Sequence, residues 1–549
     1  MSPSLTRQWI WQMITSPWLI LAFILTSQWP TSWSSLVISG LSVYYMIRSW
    51  AVLESPIKNP DQLKVVIVGA GVAGLGMARK FKEVGVEDFI LLEKNPDIGG
   101  TWFLNIYPGV ACDIFSHFYS FSYFLNAKWS KAYSEGEEIW NYLNRFVEEF
   151  QLRPHIHFKT VVSETIWQED EKKWLVRTKE GKEYQANIFI SAVGALHTPS
   201  KPHFKNQEAF QKPIFHTAEW DKSVELSGKR VGVIGTGASG VQAVANIAGK
   251  VKELYVFQRT ASWVPARMNF AHWDWIKNCF VTFPFLLRLY RDILFLTNEV
   301  IFHGVFTISS PIRHLVENFV ARGMRQNIRE ENEDDEVLLK TALIPNYPLG
   351  CKRVTPSDDY IQTFNQPHVH LIQDRIDCFN ENGIATSNGK NIDLDVIILA
   401  TGFDVLQSSR AFHGIGKGGQ ILSEVWGDCP RAYLGISHPG FPNSFILLGP
   451  GTGLGHSSII FMIECQVNYI LDCVRKLQSS GRKSMTVKKS VHDGFVAWLD
   501  KNMKNRVFGS GCVAWYQNAK GVNWTLWPKD LITYWFRTYS CDRTDYEFE

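Results

Sequence analysis

The strongest constraint on this 549-residue chain is a strand–turn–helix pattern that it contains twice. The first copy, KVVIVGAGVAGLGMARKFKEVG (64–85), runs from an apolar strand at 65–68 into a turn made by Gly69, Gly71 and Gly74. A helix follows, which Gly85 can end. The next strand, FILLEKN (89–95), carries Glu93, nineteen residues after Gly74. One G-x-G-x-x-G alone is weak; strand, turn, helix and acidic strand end in register specify a dinucleotide site. The glycines let a pyrophosphate approach the helix N-terminus, where peptide dipoles favour an anion. Glu93 would accept from a ribose hydroxyl, so this nucleotide lacks a 2′-phosphate.

The second copy, KRVGVIGTGASGVQAVANIAG (229–249), turns at Gly235, Gly237 and Gly240. Thr236, Ala238, Ser239, Val241 and Gln242 fill the turn and the start of its helix as further nucleotide contacts. The following strand, ELYVFQRT (253–260), ends in Gln258, Arg259 and Thr260, where an acid would otherwise stand. A carboxylate there would repel a 2′-phosphate, whereas a guanidinium forks onto it, so this site prefers NADPH. Two dinucleotides of different type in one chain point to a flavoprotein, with FAD in the first site and NADPH reducing it.

Later segments fit that plan. NIFISAVGAL (187–196) and DVIILATGF (395–403) read as apolar strands returning between domains, and LLGPGTGLGHSSIIFMIECQVNYIL (447–471) as strand, glycine-rich turn and apolar helix. That helix, beginning near Ser457, would place its positive end against a reduced isoalloxazine. The expected fold is α/β, with two Rossmann-like dinucleotide-binding domains, the NADPH domain inserted into a discontinuous FAD domain. The expected boundaries are a hydrophobic segment at 1–60, FAD domain at 61–200, NADPH domain at 201–394 with a helical insert at about 267–349, and the rest of the FAD domain with the C-terminal region at 395–549. The insert reads as helices packed on the NADPH domain or as a lipid-facing or substrate-entrance surface. The acidic run REENEDDE (329–336) reads as a solvated loop or helix face.

The first fifty residues stand apart. No charged residue lies between Arg7 and Arg48, and Pro30 separates two apolar runs. A spanning helix needs about 20 apolar residues, so this stretch can supply one tilted span or a hairpin. The expectation is a membrane anchor, with Arg7, Arg48, Lys58 and Lys64 favouring a catalytic body on the cytoplasmic side, the membrane being endoplasmic-reticulum-like if the protein is eukaryotic. A net charge of +3 without a basic block gives no sign of nucleic acid, and no metal-ligand spacing occurs. Nine dispersed cysteines without a C-x-x-C pair read as reduced cytosolic thiols and argue against a dithiol–disulfide reductase.

Several motifs resemble those of class B flavoprotein monooxygenases, and specifically the Baeyer–Villiger monooxygenases. GGTWFLNIYPGVACD (99–113) is similar to that family's flavin-side segment, and WYQNAKGVNWTLWP (515–528) is typical of the superfamily. In FQKPIFHTAEWD (210–221), Phe210, His216, Trp220 and Asp221 match the family fingerprint, in which Lys212 replaces a glycine. The resemblance implies that this segment is a linker coupling domain movement to catalysis, and that His216 and Trp220 act through structure. It also implies that Arg353 stabilises a flavin C4a-peroxide, that Asp113 positions Arg353, and that Lys352 helps hold the NADPH phosphate. Thr101, Trp102, Asp113, Tyr119 and Val162 match its flavin-contacting positions.

The implied reaction inserts one oxygen atom of O2 into a ketone, giving an ester or lactone. It needs a fixed cation beside the anionic oxygen, in a dry site where charge stabilisation is strong. Arg353 suits this because a guanidinium does not deprotonate. Two alternatives remain: a flavin N- or S-oxygenase using the same cofactors, and a non-catalytic nucleotide-binding membrane protein on this scaffold. An apolar terminus and insert favour a bulky, poorly soluble ketone of the secondary-metabolite kind.

Overall fold

The computed structural model describes Ile57, residues 59–328 and residues 339–549. The anchor expected at 1–60 therefore lies outside the described residues, apart from Ile57, Asn59 and Pro60, and so does the acidic run 329–336. Among the described residues, no helix is long and apolar enough to cross a membrane.

Both glycine-rich turns sit at the ends of central strands in parallel sheets. In the first sheet, Val65–Val68 lies between Phe89–Leu92 and Ile188–Ser191, with Ile156–His157 and Ser444–Ile446 at the edges. Val65 pairs with Phe89 on one side and Ile188 on the other. All four residues of Val65–Val68 are buried, as a strand covered on both faces requires. The edge strand Ser444–Ile446 comes from the far end of the chain, so the first domain is discontinuous.

The second sheet is ordered Val369–Ile372, Glu253–Phe257, Arg230–Ile234, Val396–Leu399, Ile214–His216. Val396–Leu399 lies inside this sheet, paired with both Arg230–Ile234 and Ile214–His216. The second domain thus reaches past the boundary expected at 394. A doubly wound sheet needs a return strand on each side of its first strand, and this segment supplies it.

The glycines show what each turn must accommodate. Gly69 has φ +104°, a conformation that L side chains rarely adopt. A Cβ on Gly74 would stand 1.9 Å from the Gly69 carbonyl oxygen, and one on Gly240 would stand 2.1 Å from that of Gly235. These contacts come from helix packing on the turn. The middle glycines differ: a Cβ on Gly237 would meet nothing within 4 Å, and one on Gly71 only the Gly100 backbone at 3.7 Å or more. The first and third glycines are needed by the fold, while the middle ones leave room for a ligand.

The insert includes the helices Asp274–Thr282, Pro284–Val305 and Pro311–Gln326. It packs on more than the NADPH domain. Phe302, Val305, Phe306, Ala321 and Met324 join the core beneath the second sheet. Arg291 is buried, donates to the Ser120 carbonyl at 3.0 Å and lies over the Phe118 ring. Phe295 meets Phe118 and, on helix Ile459–Ser480, Phe461. The insert therefore ties the two sheets together.

Gly74→Ala is expected to lower stability by roughly 1–3 kcal/mol, the usual cost of forcing atoms into a packed site. Gly237→Ala should leave the denaturation midpoint unchanged and weaken nucleotide binding instead. Denaturant unfolding beside a nucleotide titration checks both, and equal destabilisation by the two variants would refute the division of roles.

Candidate active site

The two turns open into one continuous cavity of about 2310 Å³. Gly69, Gly71, Glu93, Thr101, Trp102, Asp113, Tyr119 and Val162 line it from the first domain. Gly235, Thr236, Gly237, Ala238, Ser239, Val241, Gln242, Arg259 and Thr260 line it from the second, with Lys352 and Arg353 beside them. Gly74 and Gly240 do not line it, in keeping with their packing role.

Glu93 is buried at the end of its strand. Its carboxylate accepts from the Ala70 amide at 2.8 Å, the Asn95 amide at 2.8 Å and Asn95 Nδ2 at 2.7 Å. Two oxygens offer about four lone-pair positions, which leaves room for a ribose hydroxyl. Trp102 Nε1 donates to the Tyr119 hydroxyl at 3.2 Å, with the rings edge to face. Burial pushes the Tyr119 hydroxyl well above its ordinary range, so it stays protonated. At the N-terminus of helix Ile459–Ser480, Ser457 lines the cavity with a buried hydroxyl that has no partner among the described residues. Unmatched polar groups, dipole and open glycine turn together fit a flavin dinucleotide.

In the second turn, Thr236 Oγ1 donates to the Thr260 carbonyl at 3.0 Å, which fixes the strand end that carries Arg259. Gln258, which also lines the cavity, donates through Nε2 to the Ala342 carbonyl at 2.8 Å and so braces the insert side. Gln242 spans the domains, accepting from the Tyr107 hydroxyl at 2.8 Å and donating to the Ala111 carbonyl at 3.0 Å. Lys352 lies near Arg259: burial, and then the neighbouring guanidinium, lower its pKa. Two cations held together over a cavity need an anion, and a 2′-phosphate fits them.

Arg353 and Asp113 meet although 240 residues separate them. Arg353 Nε donates to Asp113 Oδ2 at 3.0 Å, and Nη2 donates to the same oxygen at 2.6 Å. The Asp113 charge, stronger here than the cost of burial, raises the Arg353 pKa further. The guanidinium is a permanent cation facing the cavity that it lines.

The fingerprint residues are elsewhere. Phe210, His216 and Trp220 do not line the cavity. His216 Nδ1 accepts from the Ala218 amide at 3.0 Å, and burial lowers the ring's pKa. Trp220 stands edge to face on Phe215, and Phe210 on Phe379. At the departure from the fingerprint, Lys212 Nζ donates to the Leu394 carbonyl at 2.6 Å and pairs with Asp395 at 3.4 Å. The backbone at 212 stays out of the left-handed region, so lysine fits without strain.

One expectation is corrected. Cys351 and Cys512, read as reduced thiols, form a disulfide with a Cα–Cα distance of 6.1 Å and a sequence separation of 161. Spacing along the chain cannot reveal such a pair. The other seven cysteines are free.

Sequence reasoning also missed Glu299 and His456. Their side chains are 6 % and 1 % exposed, and they face each other with Glu299 Oε1 3.9 Å from His456 Nε2. Burial raises Glu299 to about 8, and burial lowers His456 to about 3, so at neutral pH this is a pair of neutral groups and not an ion pair. The only signal in the sequence was a histidine within the glycine-rich turn GLGHSS (453–458).

A family model described as pyridine nucleotide-disulphide oxidoreductase matches residues 66–280. The Baeyer–Villiger monooxygenase of Pseudomonas aeruginosa is 35% identical over 467 residues, covering 85% of this chain and 87% of that protein. Among solved structures, the OTEMO complex with FAD and NADP superposes with a TM-score of 0.79 at 25% identity, covering 90% of this chain and 100% of that one. Oxidized steroid monooxygenase bound to NADP superposes at 0.78 with 27% identity, covering 88% and 99%. This chain belongs to the Baeyer–Villiger monooxygenase family.

Glu299 yields a prediction of sign. The unfolded chain loses this proton near pH 4.5, while the folded protein keeps it up to about 8. Stability should therefore fall as pH rises through that window and level off above it. Glu299→Gln removes the loss, so its melting-temperature advantage over wild type should widen from about pH 4.5 to about 8. A gap that stays constant with pH would show that Glu299 titrates normally.

Proposed function

We propose that this protein, an FAD- and NADPH-dependent monooxygenase, inserts one oxygen atom of O2 into a bulky apolar ketone and releases an ester or lactone. The observation that carries this reading is Arg353, doubly hydrogen-bonded to Asp113 and facing the cavity shared by both nucleotide turns. When bound, FAD would supply the redox chemistry that uses NADPH to activate O2, one oxygen atom going to the ketone and the other to water. The first turn, Glu93, Thr101, Trp102, Tyr119 and Val162 hold that cofactor. The second turn, Arg259, Thr260 and Lys352 hold NADPH.

Arg353 then stabilises the negative charge that develops on oxygen as the ketone carbonyl is attacked. Asp113 orients the guanidinium so that its remaining N–H groups point into the cavity. A cation fixed in advance costs no reorganisation during reaction, and a water-poor site strengthens its effect. The apolar ketone is favoured by the cavity wall on the insert side, where Ile301, Val305, Phe306, Val316 and Val320 supply the surface. The steroid monooxygenase among the neighbours is consistent with a substrate of that bulk.

Arg353→Ala should fold and retain FAD but lose oxygenated product, falling about 10²–10³-fold in rate as expected for one lost stabiliser. Asp113→Ala should be non-additive with it, because Asp113 acts through the arginine. Ester formed per NADPH consumed, measured on a ketone panel, is the decisive quantity. Ester formation by Arg353→Ala at the wild-type rate would refute the mechanism, and an N- or S-oxide as sole product would favour heteroatom oxygenation.

Nucleotide choice is tested separately. Arg259→Ala should raise the KM for NADPH roughly ten- to hundredfold, the worth of a forked charged contact, while the KM for NADH changes little. Equal effects on both nucleotides would remove Arg259 from 2′-phosphate recognition.

A further inference from the structure

We propose that Gln242 is a positioning residue for the oxygenation: it clasps the helix of the second turn onto the loop that leads into Asp113, and so fixes where Arg353 stands. This deepens the reading above and rests on its assignment of Arg353. Gln242 lies on helix Ala238–Ile247, which the second glycine turn opens. Both ends of its side-chain amide are engaged by the first domain. Oε1 accepts from the Tyr107 hydroxyl at 2.8 Å, and Nε2 donates to the Ala111 carbonyl at 3.0 Å. An amide engaged in this way registers the position of the other domain, whereas a nucleotide contact needs that group turned to the ligand.

The loop is shaped for close approach. Gly109, between the two partners, has φ +81°, and a Cβ on it would stand 2.0 Å from Asn246 Nδ2 and 3.0 Å from the Gln242 carbonyl oxygen. A glycine is needed for the loop to lie so near the helix. Asn246 Nδ2 donates to that same carbonyl at 2.8 Å, so one turn of the helix faces the loop. Tyr107 is buried, and its hydroxyl also hydrogen-bonds Ser239 in the second turn. Burial pushes the phenol up to about 12, so it stays a donor throughout the working range.

Ala111 stands two residues before Asp113. Its own domain holds this segment through the Cys112 amide, which donates to the Ser134 carbonyl at 3.0 Å, and the Gly136 amide, which donates to the Val110 carbonyl at 2.9 Å. The Gln242 amide pins it from the other domain. Arg353 makes both of its bonds to one oxygen of Asp113, at 2.6 and 3.0 Å, so the guanidinium follows that atom. Hydrogen bonds weaken steeply as geometry departs from ideal, and a catalytic group displaced from its working position loses rate. The clasp therefore ties the turn assigned to NADPH to the charge that acts on the substrate.

The test uses the full-length FAD-loaded enzyme with NADPH and, in separate reactions, 4-phenylcyclohexanone and thioanisole. Ester, sulfoxide and hydrogen peroxide are each counted against NADPH consumed. Gln242→Met should keep the wild-type FAD content and KM for NADPH, while kcat for ester falls roughly tenfold, the worth of two ordinary hydrogen bonds. The missing product should be recovered as hydrogen peroxide, formed when O2 takes up the two electrons of NADPH and two protons. Tyr107→Phe deletes one oxygen and keeps the ring, so it should show a smaller loss of the same kind, and it carries the test if Gln242→Met does not fold. Gln242→Met added to Asp113→Ala should cost nothing further, because the clasp acts through Asp113. A raised KM for NADPH with ester per NADPH unchanged would make Gln242 a nucleotide contact and overturn the proposal. Additive losses with Asp113→Ala, or loss of FAD from Tyr107→Phe, would overturn it as well. A wild type that forms sulfoxide and no ester would sink the ketone chemistry, and a fall in sulfoxide per NADPH in Gln242→Met would still support the clasp.

Discussion

The ion pair between Arg353 and Asp113 is the interaction on which the rest of this active site depends. The pair is half-buried at the cavity wall, with side chains 35% and 20% exposed, and the Asp113 charge is what holds the guanidinium in place there. Asp113 follows the flavin-side segment of the first domain, while Arg353 follows the insert. The pair can therefore form only when both sheets and the insert have assembled. The arginine's loop is further held by the Cys351–Cys512 disulfide and by the Thr355 amide donating to the Trp263 carbonyl at 2.9 Å. Its position is fixed before any substrate arrives.

The insert makes that assembly possible. Arg291 caps the Ser120 carbonyl, Phe295 sits between Phe118 and Phe461, and Phe302 with Phe306 joins the core of the second domain. One 22-residue helix, Pro284–Val305, thus touches both halves of the molecule and contributes Asn298, Ile301 and Val305 to the cavity wall. The element that sets the distance between the domains also forms part of the surface a substrate would meet. Changes in its packing should therefore alter cavity shape as well as stability.

What the sequence revealed depended on whether the information was local. The two glycine turns were legible because Gly69, Gly74, Gly235 and Gly240 answer to steric demands set within a few residues, or by a neighbouring strand whose apolar pattern is equally plain. The strand at 396–399 was legible as a strand returning between domains, but its place between Arg230–Ile234 and Ile214–His216 was not, because pairing partners cannot be read from a short apolar run. Lys212 looked like a defect in the linker fingerprint. Its reach to the Leu394 carbonyl and Asp395 spans 182 and 183 residues, and no local pattern encodes that compensation. The disulfide and the Glu299–His456 pair were hidden for the same reason. The meeting of Asp113 with Arg353 was anticipated only through family resemblance, since nothing within either segment refers to the other.

The cavity wall divides its polar groups by task, and the division follows from their electrostatics. The cations Arg259, Lys352 and Arg353 gather on the cavity wall, where the proposed function has them hold anionic groups or meet developing negative charge. Neutral polar groups, His456 and protonated Glu299, stand among aromatic side chains where a further charge would be expensive. Burial keeps His456 neutral, while Arg353, partly exposed and paired with Asp113, stays charged. A neutral His456 adds no charge to the cavity wall that Arg353 lines.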